Sequence, residues 1–272
     1  LKSDRNGADF YKKMWEDIEQ KGRWEGEIWS RKKNGETFPE WLSINTVKDK
    51  KGQIKNYVSV FRDMTNMKKS EEKIKHQTYH DPLTNLPNRY LFMDRVKKFL
   101  SHAKRSGTKA AILFMDIDRF KVINDSLCHV IGDRLLQEIA RRLSSCIRDD
   151  DTVARIGGDE FTIFLPEISG TSDIFKILDR IFKTLREQHL IDEKSFYVTP
   201  SIGISVYPDD AETDLELYKN ADIAMYHAKK MGGNNYQFFS QELNKKAEER
   251  FVLENGLRMA LKNNEFELYF QP

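Results

Sequence analysis

The hydrophobic pattern of residues 1–63 predicts one helix followed by three antiparallel strands. Apolar side chains recur at helical spacing over residues 10–20. Polar and apolar residues then alternate in a first strand, and the Asn34-Gly35 pair predicts a tight turn into a second strand over residues 38–47. A third strand is predicted over residues 54–61, so this segment is expected to form a small α+β module.

The next segment, residues 64–80, is polar and rich in lysine and glutamate, which predicts an exposed connecting helix. Two interpretations of this helix stay open. It either pairs with a second copy when the neighbouring domains dimerise, or it is a solvated linker.

Residues 81–240 alternate between helical and strand patterns. Their order, β-α-α-β-β-α-β-α-β, predicts an α/β (α+β) sandwich with one central, mostly antiparallel sheet flanked by helices. The clearest predicted elements are helices over residues 90–104, 131–147, 174–190 and 215–231, strands over residues 109–115, 196–206 and 236–239, and a hairpin over residues 152–165.

Charge and composition narrow the range of partners. The chain has 272 residues, of which 39% are hydrophobic, and it carries 45 basic and 43 acidic side chains. Because these charges nearly cancel, no global field favours binding to nucleic acid or to a membrane surface. No apolar run reaches the length of about 20 residues that crosses a bilayer, so no membrane segment is expected within this chain.

The cysteine content indicates the compartment. Cys128 and Cys146 show no metal-ligand spacing, which fits small core residues in a reducing environment. We therefore expect a cytoplasmic location for this segment. The sequence begins without an initiator methionine, so an upstream membrane anchor in a longer parent protein stays open.

Carboxylates cluster at two predicted strand ends. Asp159 and Glu160 directly follow the Gly157-Gly158 pair, which predicts a tight hairpin turn with both glycines at its centre. Asp116 follows the buried strand at residues 109–115, and sequential strands usually pair, so the two clusters are expected to meet. Hard oxygen ligands of this kind suit Mg²⁺ and indicate metal-assisted nucleotidyl transfer. The alternative is an ordinary hairpin with solvated acidic side chains.

Five motifs occur in order along residues 80–240, among them Arg155-x-Gly-Gly-Asp-Glu-Phe161. Together they resemble the GGDEF family of diguanylate cyclases, with the other matches at residues 81–89, 116–125, 129–133 and 221–229. The resemblance implies a palm-like fold and condensation of two GTP molecules to cyclic di-GMP with release of two pyrophosphates. It also implies a homodimer with one GTP in each subunit, a Mg²⁺ (or Mn²⁺) cofactor and a role in bacterial signal transduction.

The same resemblance implies roles for individual residues. Asp116, the carbonyl of Ile117 and Asp159 hold the metal ion, and Asp159 or Glu160 assists removal of the 3′-hydroxyl proton. The implied GTP contacts are the main chain of Arg119 and Phe120 with the side chains of Lys121 and Lys229 at the phosphates, Asn124 and Asp133 at the guanine edge, and the bare backbone of Gly158 beside the phosphates.

Two further positions bear on regulation and activity. Arg148 and Asp151 match the family's RxxD site for inhibition by the product, with a solvated charged loop as the alternative. Gly233 stands where family members commonly have an arginine, so a phosphate contact is expected to be lost.

The flanking segments resemble two other signalling domains. Residues 1–63 are similar to the C-terminal half of a PAS sensory domain in Trp24-x-Gly-Glu27 and in residues 31–36 and 62–65. The first strands of such a domain are absent, so a ligand pocket is expected to be incomplete, and a plain β-rich interaction module is the alternative. Residues 241–272 resemble the beginning of an EAL cyclic di-GMP phosphodiesterase domain and stop before its catalytic residues.

These flanks suggest a second function for the central domain. Instead of an active cyclase, residues 81–240 would be a catalytically weak GTP-binding domain that controls an adjoining EAL phosphodiesterase. A mere dimerising connector is the third and weakest interpretation, because the acidic and guanine-reading positions are complete.

Overall fold

The computed structural model describes residues 3, 5–127, 129–263 and 265–269. The chain folds as two compact units, Leu1–His76 and Gln77–Pro272. Across the described residues, every helix is too short or too polar to cross a lipid bilayer.

The N-terminal unit has the predicted helix and three strands. A small apolar core between the helix and the sheet is formed by Tyr11, Met14, Ile18 and Ile44. The strands are antiparallel and lie in the order β1-β2-β3. The elements are α1 (Ala8–Lys21), β1 (Arg23–Arg31), β2 (Thr37–Lys48) and β3 (Ile54–Asp63).

The connecting helix predicted over residues 64–80 is present as α2 (Thr65–Tyr79). Its start is capped, because the backbone N–H of Thr65 donates to the Asp63 carboxylate at 2.8 Å. The pairing of this helix in a dimer stays a prediction.

The C-terminal unit is built on a five-stranded sheet in the order β10-β9-β4-β6-β5. Only the β10–β9 pair is parallel, so the predicted mostly antiparallel sheet is confirmed. Its elements are α3 (Arg89–Ser106), β4 (Lys109–Ile117), α4 (Phe120–Leu127), α5 (His129–Cys146), β5 (Thr152–Gly157), β6 (Glu160–Ile168), α6 (Thr171–Arg186), β7 (His189–Ile191), β8 (Lys194–Phe196), β9 (Pro200–Tyr207), α7 (Asp214–Lys230), β10 (Tyr236–Phe238) and α8 (Gln241–Lys262).

The central strand β4 is covered on both faces, which explains its continuous apolar run. Leu113 and Met115 face the core that α5 and α6 form, whereas Ile112 and Phe114 face the core that α3 and α7 form. Since β4 can shift in neither direction without losing buried contacts, the position of Asp116 near its end is well determined.

Helix α7 approaches the sheet unusually closely at one point. A Cβ placed on Gly203 of β9 would overlap the carbonyl oxygen of Ala221 and the amide nitrogen of Met225. Only glycine therefore permits this distance between α7 and β9, and the helix is held directly against the sheet.

Two predicted boundaries are wrong. The helix predicted over residues 174–190 ends at Arg186, and the strand predicted over residues 196–206 is divided into β8 and β9 by an irregular segment. The helix ends early because the guanidinium of Arg142 on α5 donates hydrogen bonds to backbone carbonyls at and just after the end of α6. These carbonyls belong to Thr184, Glu187 and Gln188. Cys146 is buried as expected, while Cys128 lies outside the described residues.

Candidate active site

The paired strands β4 and β6 bring the two acidic clusters together. They run antiparallel, with Asp116 directly opposite Glu160 in the register. The backbone N–H of Ile117 also donates to the carbonyl of Asp159 at 3.3 Å. The strand pairing required by the sequence prediction is therefore present. Where β4 ends and β6 begins, four residues lie together, and this group is called the acidic edge: Asp116, Ile117, Asp159 and Glu160.

The hairpin turn is displaced by one residue from the predicted position. Gly157 pairs with Glu160, so Gly158 and Asp159 occupy the centre of the turn in place of the two glycines. Gly158 has φ +52°, a left-handed conformation in which glycine is the easiest residue to place. This turn puts Asp159 at the tip and Glu160 at the first position of β6.

The side chain of Arg155 stabilises the turn by hydrogen bonds. Its Nε and Nη2 donate to the carbonyl of Gly158 at 3.0 and 2.8 Å, and its Nη1 donates to both oxygens of Asp81 at 2.9 and 3.1 Å. Burial opposes the charge on Asp81, but hydrogen bonds from Thr84 and Arg155 outweigh it and hold the pKa of Asp81 below its usual range. The two motifs that contain Asp81 and Arg155 were recognisable in the sequence, but the role of Arg155 in positioning the turn was not.

Asp116 is a buried carboxylate whose two oxygens differ in their surroundings. Its side chain is 5% exposed, and Oδ2 accepts from the ammonium of Lys229 at 2.5 Å. The other oxygen, Oδ1, is buried without a hydrogen-bond partner among the described residues. Burial, reinforced by the charges of Asp159 and Glu160, outweighs Lys229 and raises the pKa of Asp116 to about 6.

The donor set at this edge fits a magnesium ion. The unpartnered carboxylate oxygen of Asp116, the carboxylate of Asp159 and nearby backbone carbonyls are the hard ligands that Mg²⁺ prefers. The described residues hold no group of three or more His, Cys, Asp or Glu side chains arranged for a metal ion. Mg²⁺ is commonly bound through one or two carboxylates, substrate phosphates and waters.

Helix α7 adds a carboxylate to which the sequence pattern gave no role. Asp222 and Lys229 are seven residues apart on α7, so they lie on one face of the helix. Burial, followed by the charges of Asp222 and Asp159, raises the pKa of Glu160. The helical spacing of Asp222 to Lys229 within one motif was the signal that could have identified Asp222.

The two predicted guanine-reading residues lie on packed helices, Asn124 on α4 and Asp133 on α5. A Cβ on Gly132 would overlap Oδ1 of Asn124, so the missing side chain creates the space in which this amide lies. Oδ1 of Asn124 is buried and has no hydrogen-bond partner in the described part of the chain, while Asp133 is exposed. Gly132 is thus a positioning residue beside Asp133.

The predicted phosphate contacts lie where β4 passes into α4. Arg119 has φ +56°, and its carbonyl accepts from the N–H of Val122 at 2.9 Å as the helix begins. Phe120 is buried, whereas Lys121 is exposed in the first turn of α4. The first N–H groups of a helix lack intrahelical acceptors, and they suit a phosphate.

Asp118 lies two residues from Asp116, and both of its carboxylate oxygens accept hydrogen bonds. It accepts from the hydroxyls of Thr199 at 2.7 Å and Ser201 at 2.6 Å, and from the backbone N–H of Asn234 at 2.7 Å. These bonds tie the end of β4 to β9 and to the loop after α7.

Gly233 belongs to this tied loop. It has φ +73°, and a Cβ there would lie 2.7 Å from Oδ2 of Asp118. The backbone of this chain therefore favours glycine at the position where the family pattern has arginine.

The predicted product site is an exposed turn between α5 and β5. The N–H of Arg148 donates to the Asp151 carboxylate at 2.9 Å, and the N–H of Asp151 donates to the Arg148 carbonyl at 3.1 Å. The side chain of Arg148 is left facing solvent.

The fold is of mixed α+β architecture, with the acidic edge at the end of two central strands of its sheet. Residues 78–235 match the family model described as "Diguanylate cyclase, GGDEF domain", and residues 3–66 match a PAS domain. The chain belongs to the GGDEF family of diguanylate cyclases. No EAL domain is detected in the chain.

Known proteins support this assignment. The bifunctional diguanylate cyclase/cyclic di-GMP phosphodiesterase MucR of Pseudomonas aeruginosa is 39% identical over 208 residues, which are 76% of this chain and 30% of MucR. The solved GGDEF domain of TpbB (YfiN) from the same organism has a TM-score of 0.61 at 36% identity and covers 62% of this chain and 99% of that domain.

A second solved domain was determined with a nucleotide. The GGDEF domain of DgcB from Caulobacter crescentus, in complex with cyclic di-GMP, has a TM-score of 0.55 at 26% identity and covers 59% of this chain and 95% of that domain. The chain spans between 25% and 32% of the length of the first four curated relatives that it matches.

Proposed function

We propose that this chain is a Mg²⁺-dependent diguanylate cyclase that condenses two GTP molecules to cyclic di-GMP and releases two pyrophosphates. The supporting observation is the acidic edge, where Asp116, with one buried oxygen that has no described partner, lies opposite Glu160 and beside Asp159. Asp116, the carbonyl of Ile117 and Asp159 would hold the metal. When bound, Mg²⁺ or Mn²⁺ neutralises phosphate charge and lowers the pKa of the attacking hydroxyl.

The residues of this chain orient the nucleotide around that edge. Asn124 and Asp133 read the guanine, since an amide and a carboxylate together match its donor and acceptor edge. Lys121 and Lys229 hold the phosphates as point charges, and the backbone of Arg119 and Phe120 at the start of α4 contributes N–H donors.

The turn completes the reacting arrangement. Gly158 presents backbone without a side chain, which lets the phosphates approach, and Glu160 or Asp159 accepts the proton of the 3′-hydroxyl. Each half-reaction forms one bond from a 3′-oxygen to an α-phosphorus and breaks the bond to pyrophosphate. Because one domain holds one GTP, the reaction needs a homodimer in which two edges face each other.

The flanking segments suggest regulation in the cytoplasm, where GTP is found. The N-terminal PAS domain would supply the signal through α2, and cyclic di-GMP would inhibit through Arg148 and Asp151. The DgcB complex shows that a related domain binds cyclic di-GMP. Residues 241–272 would begin an EAL domain of a longer parent protein, of which α8 and a short tail are described here.

The direct test is incubation of the chain with GTP and Mg²⁺, followed by chromatographic separation of the nucleotides. Cyclic di-GMP and pyrophosphate are expected, and Asp159→Ala is expected to abolish both. Tight GTP binding without any cyclic di-GMP at high protein concentration would sink the cyclase proposal.

That negative result would support the second candidate, a GTP-binding domain that regulates an adjoining phosphodiesterase. Two observations favour it, Gly233 in place of arginine and the bifunctional relative MucR. A tandem protein with an intact EAL domain would then hydrolyse cyclic di-GMP at a rate that depends on GTP.

A further inference from the structure

The ammonium of Lys229 forms an ion pair with Asp116, the carboxylate that the proposed function assigns to the metal. Its Nζ lies 2.5 Å from Oδ2 of Asp116, a side chain that is 5% exposed. Asp116 forms no other ion pair among the described residues. Lys229 is therefore the group that neutralises this buried anion.

The carboxylates beside the pair explain why such a counter-ion is needed. Asp159 and Glu160 both add negative charge next to Asp116, and Asp222 lies on the same helix face as Lys229. Carboxylates this close together repel one another unless a cation lies among them. Across the described part of the chain, Lys229 is the cation in ion-pair contact with this group.

We propose that Lys229 is a built-in counter-ion, which pairs with Asp116 before the metal-nucleotide complex binds and transfers to the nucleotide phosphates when it does. This inference rests on the proposed metal role of Asp116. A lysine ammonium and a divalent cation compete for one carboxylate because like charges repel, so Lys229 opposes binding of the metal alone. Once phosphates are present, Lys229 has a second anionic partner and leaves Asp116.

The movement is confined to the lysine side chain. Lys229 lies in the last turn of α7, and α7 is held against β9 by the close approach at Gly203. The side chain of Lys229 is 39% exposed, so its flexible four-carbon stem can turn toward solvent and the phosphates. Asp116 stays in place because β4 is buried on both faces.

The exchange of Lys229 between Asp116 and the phosphates couples the binding of the metal to the binding of the nucleotide. Without nucleotide, the affinity of the site for a divalent cation is low, and it rises when phosphates draw Lys229 away. Two ligands that each favour the same rearrangement strengthen each other's binding by an equal factor.

The test is direct binding of Mn²⁺ to the full chain without nucleotide, measured by the loss of the free-ion electron paramagnetic resonance signal. Lys229→Met is expected to bind Mn²⁺ at least about tenfold more tightly than the wild type, since one competing positive charge is removed. Lys230→Met is the matched control, because it removes the same charge from the neighbouring residue, whose Nζ lies 5.1 Å from the ring centre of Tyr226. This control is expected to change the affinity by less than about twofold.

A second measurement separates the possible failures. A non-hydrolysable GTP analogue should increase Mn²⁺ affinity strongly in the wild type and much less in Lys229→Met. Equal Mn²⁺ affinity in wild type, Lys229→Met and Lys230→Met would overturn the counter-ion proposal while leaving the metal site intact. Mn²⁺ binding that survives Asp159→Asn unchanged would overturn both this proposal and the metal assignment.

Thermal unfolding by circular dichroism checks that the variants are folded. Lys229→Gln, which keeps a polar side chain of similar length, is the second variant and should show the same gain in Mn²⁺ affinity. Added Mn²⁺ should also raise the melting temperature of folded Lys229→Met more than that of the wild type. An equal or smaller rise would count against the proposal.

Discussion

Asp116 and Asp118 lie two residues apart at the end of one strand, yet their surroundings are opposite. Asp118 accepts three hydrogen bonds from Thr199, Ser201 and Asn234, so it fastens three segments together. Asp116 has one lysine contact and a buried oxygen without a described partner. Because buried polar groups are normally satisfied, the saturated carboxylate indicates structure and the half-satisfied one indicates chemistry.

The largest expected effect comes from exchanging the two roles by isosteric substitution. Asp116→Asn should reduce cyclase turnover by at least about 1,000-fold, because a metal ligand is lost. Its stability should be unchanged or higher, since a partly compensated buried charge is removed. Turnover is measured from cyclic di-GMP and stability from urea unfolding.

Asp118→Asn should show the reverse pattern. The amide cannot accept all three donors, so the free energy of unfolding should fall by about 1–3 kcal/mol. Turnover of the remaining folded protein should fall much less than in Asp116→Asn. If the two variants lost turnover equally and stability equally, the contrast between these carboxylates would be wrong.

Arg155→Lys tests whether the acidic edge depends on its support. A lysine cannot hold Asp81 and the Gly158 carbonyl in the same way, so Asp159 should be misplaced and turnover should fall about 100-fold. Arg95→Lys is the control, because Arg95 donates to Thr152 at the far end of β5. Equal losses in the two variants would show that the effect is general to β5 and does not come from the turn.

Gly132→Ala tests the space that holds Asn124. The added methyl group should displace the amide and raise KM for GTP about tenfold, with a smaller change in kcat, because base binding is affected more than chemistry. Ser145→Ala on the same helix is the control. An unchanged KM would remove Asn124 from guanine recognition.

Gly233→Arg tests whether this chain has lost a phosphate contact or adapted its loop. A non-glycine residue at φ +73° and the collision with Asp118 should cost about 1–2 kcal/mol of stability and should not increase kcat/KM. Urea unfolding and steady-state kinetics measure both. An increase in kcat/KM without loss of stability would restore the interpretation of a missing arginine.

His189 gives the smallest effect and marks the limit of the comparison. It is fully buried, its Nε2 donates to the Leu185 carbonyl at 2.9 Å, and Nδ1 has no described partner, yet it lies in β7, outside the acidic edge. Burial lowers its pKa from the usual 6.5, with Arg142 acting in the same direction and the Leu185 carbonyl, Glu138 and Glu187 opposing. Here a half-satisfied group should affect stability alone.

The direction of that effect follows from proton linkage. The folded state binds fewer protons than the unfolded state near His189, so its contribution is complete above the unfolded pKa of 6.5 and is lost as the pH falls below it. Between about pH 7.5 and about pH 5.5, urea unfolding should show a smaller loss of stability in His189→Gln than in the wild type. Identical pH dependences would assign the loss to other groups.

Much of this architecture could be predicted because local chemistry and burial agree. The apolar run before Asp116 predicted a buried strand, and the pairing of β4 with β6 followed from strand order. The turn was predicted one residue too early, because Gly157 and Gly158 are equally able to occupy its centre and only the register distinguishes them. The end of α6 was missed because a distant side chain, Arg142, determines it.

The supporting contacts of the site could not be predicted for a related reason. Arg155 meets Asp81 across 74 positions of sequence, and Asp118 meets Asn234 across 116. No periodicity records such pairs, since each depends on the completed sheet. Residues that share one helix, such as Asp222 and Lys229, were within reach of the sequence because helical spacing relates them.

The guanidinium of Arg155 joins two distant segments of the domain. The segment that follows α2 is fastened through Asp81 to the same arginine that grips the Gly158 carbonyl. No flexible spacer separates these contacts, so a displacement of Asp81 is passed to Asp159 through one rigid, planar group. The acidic edge is therefore connected to the residues just after α2 by a single stiff coupling.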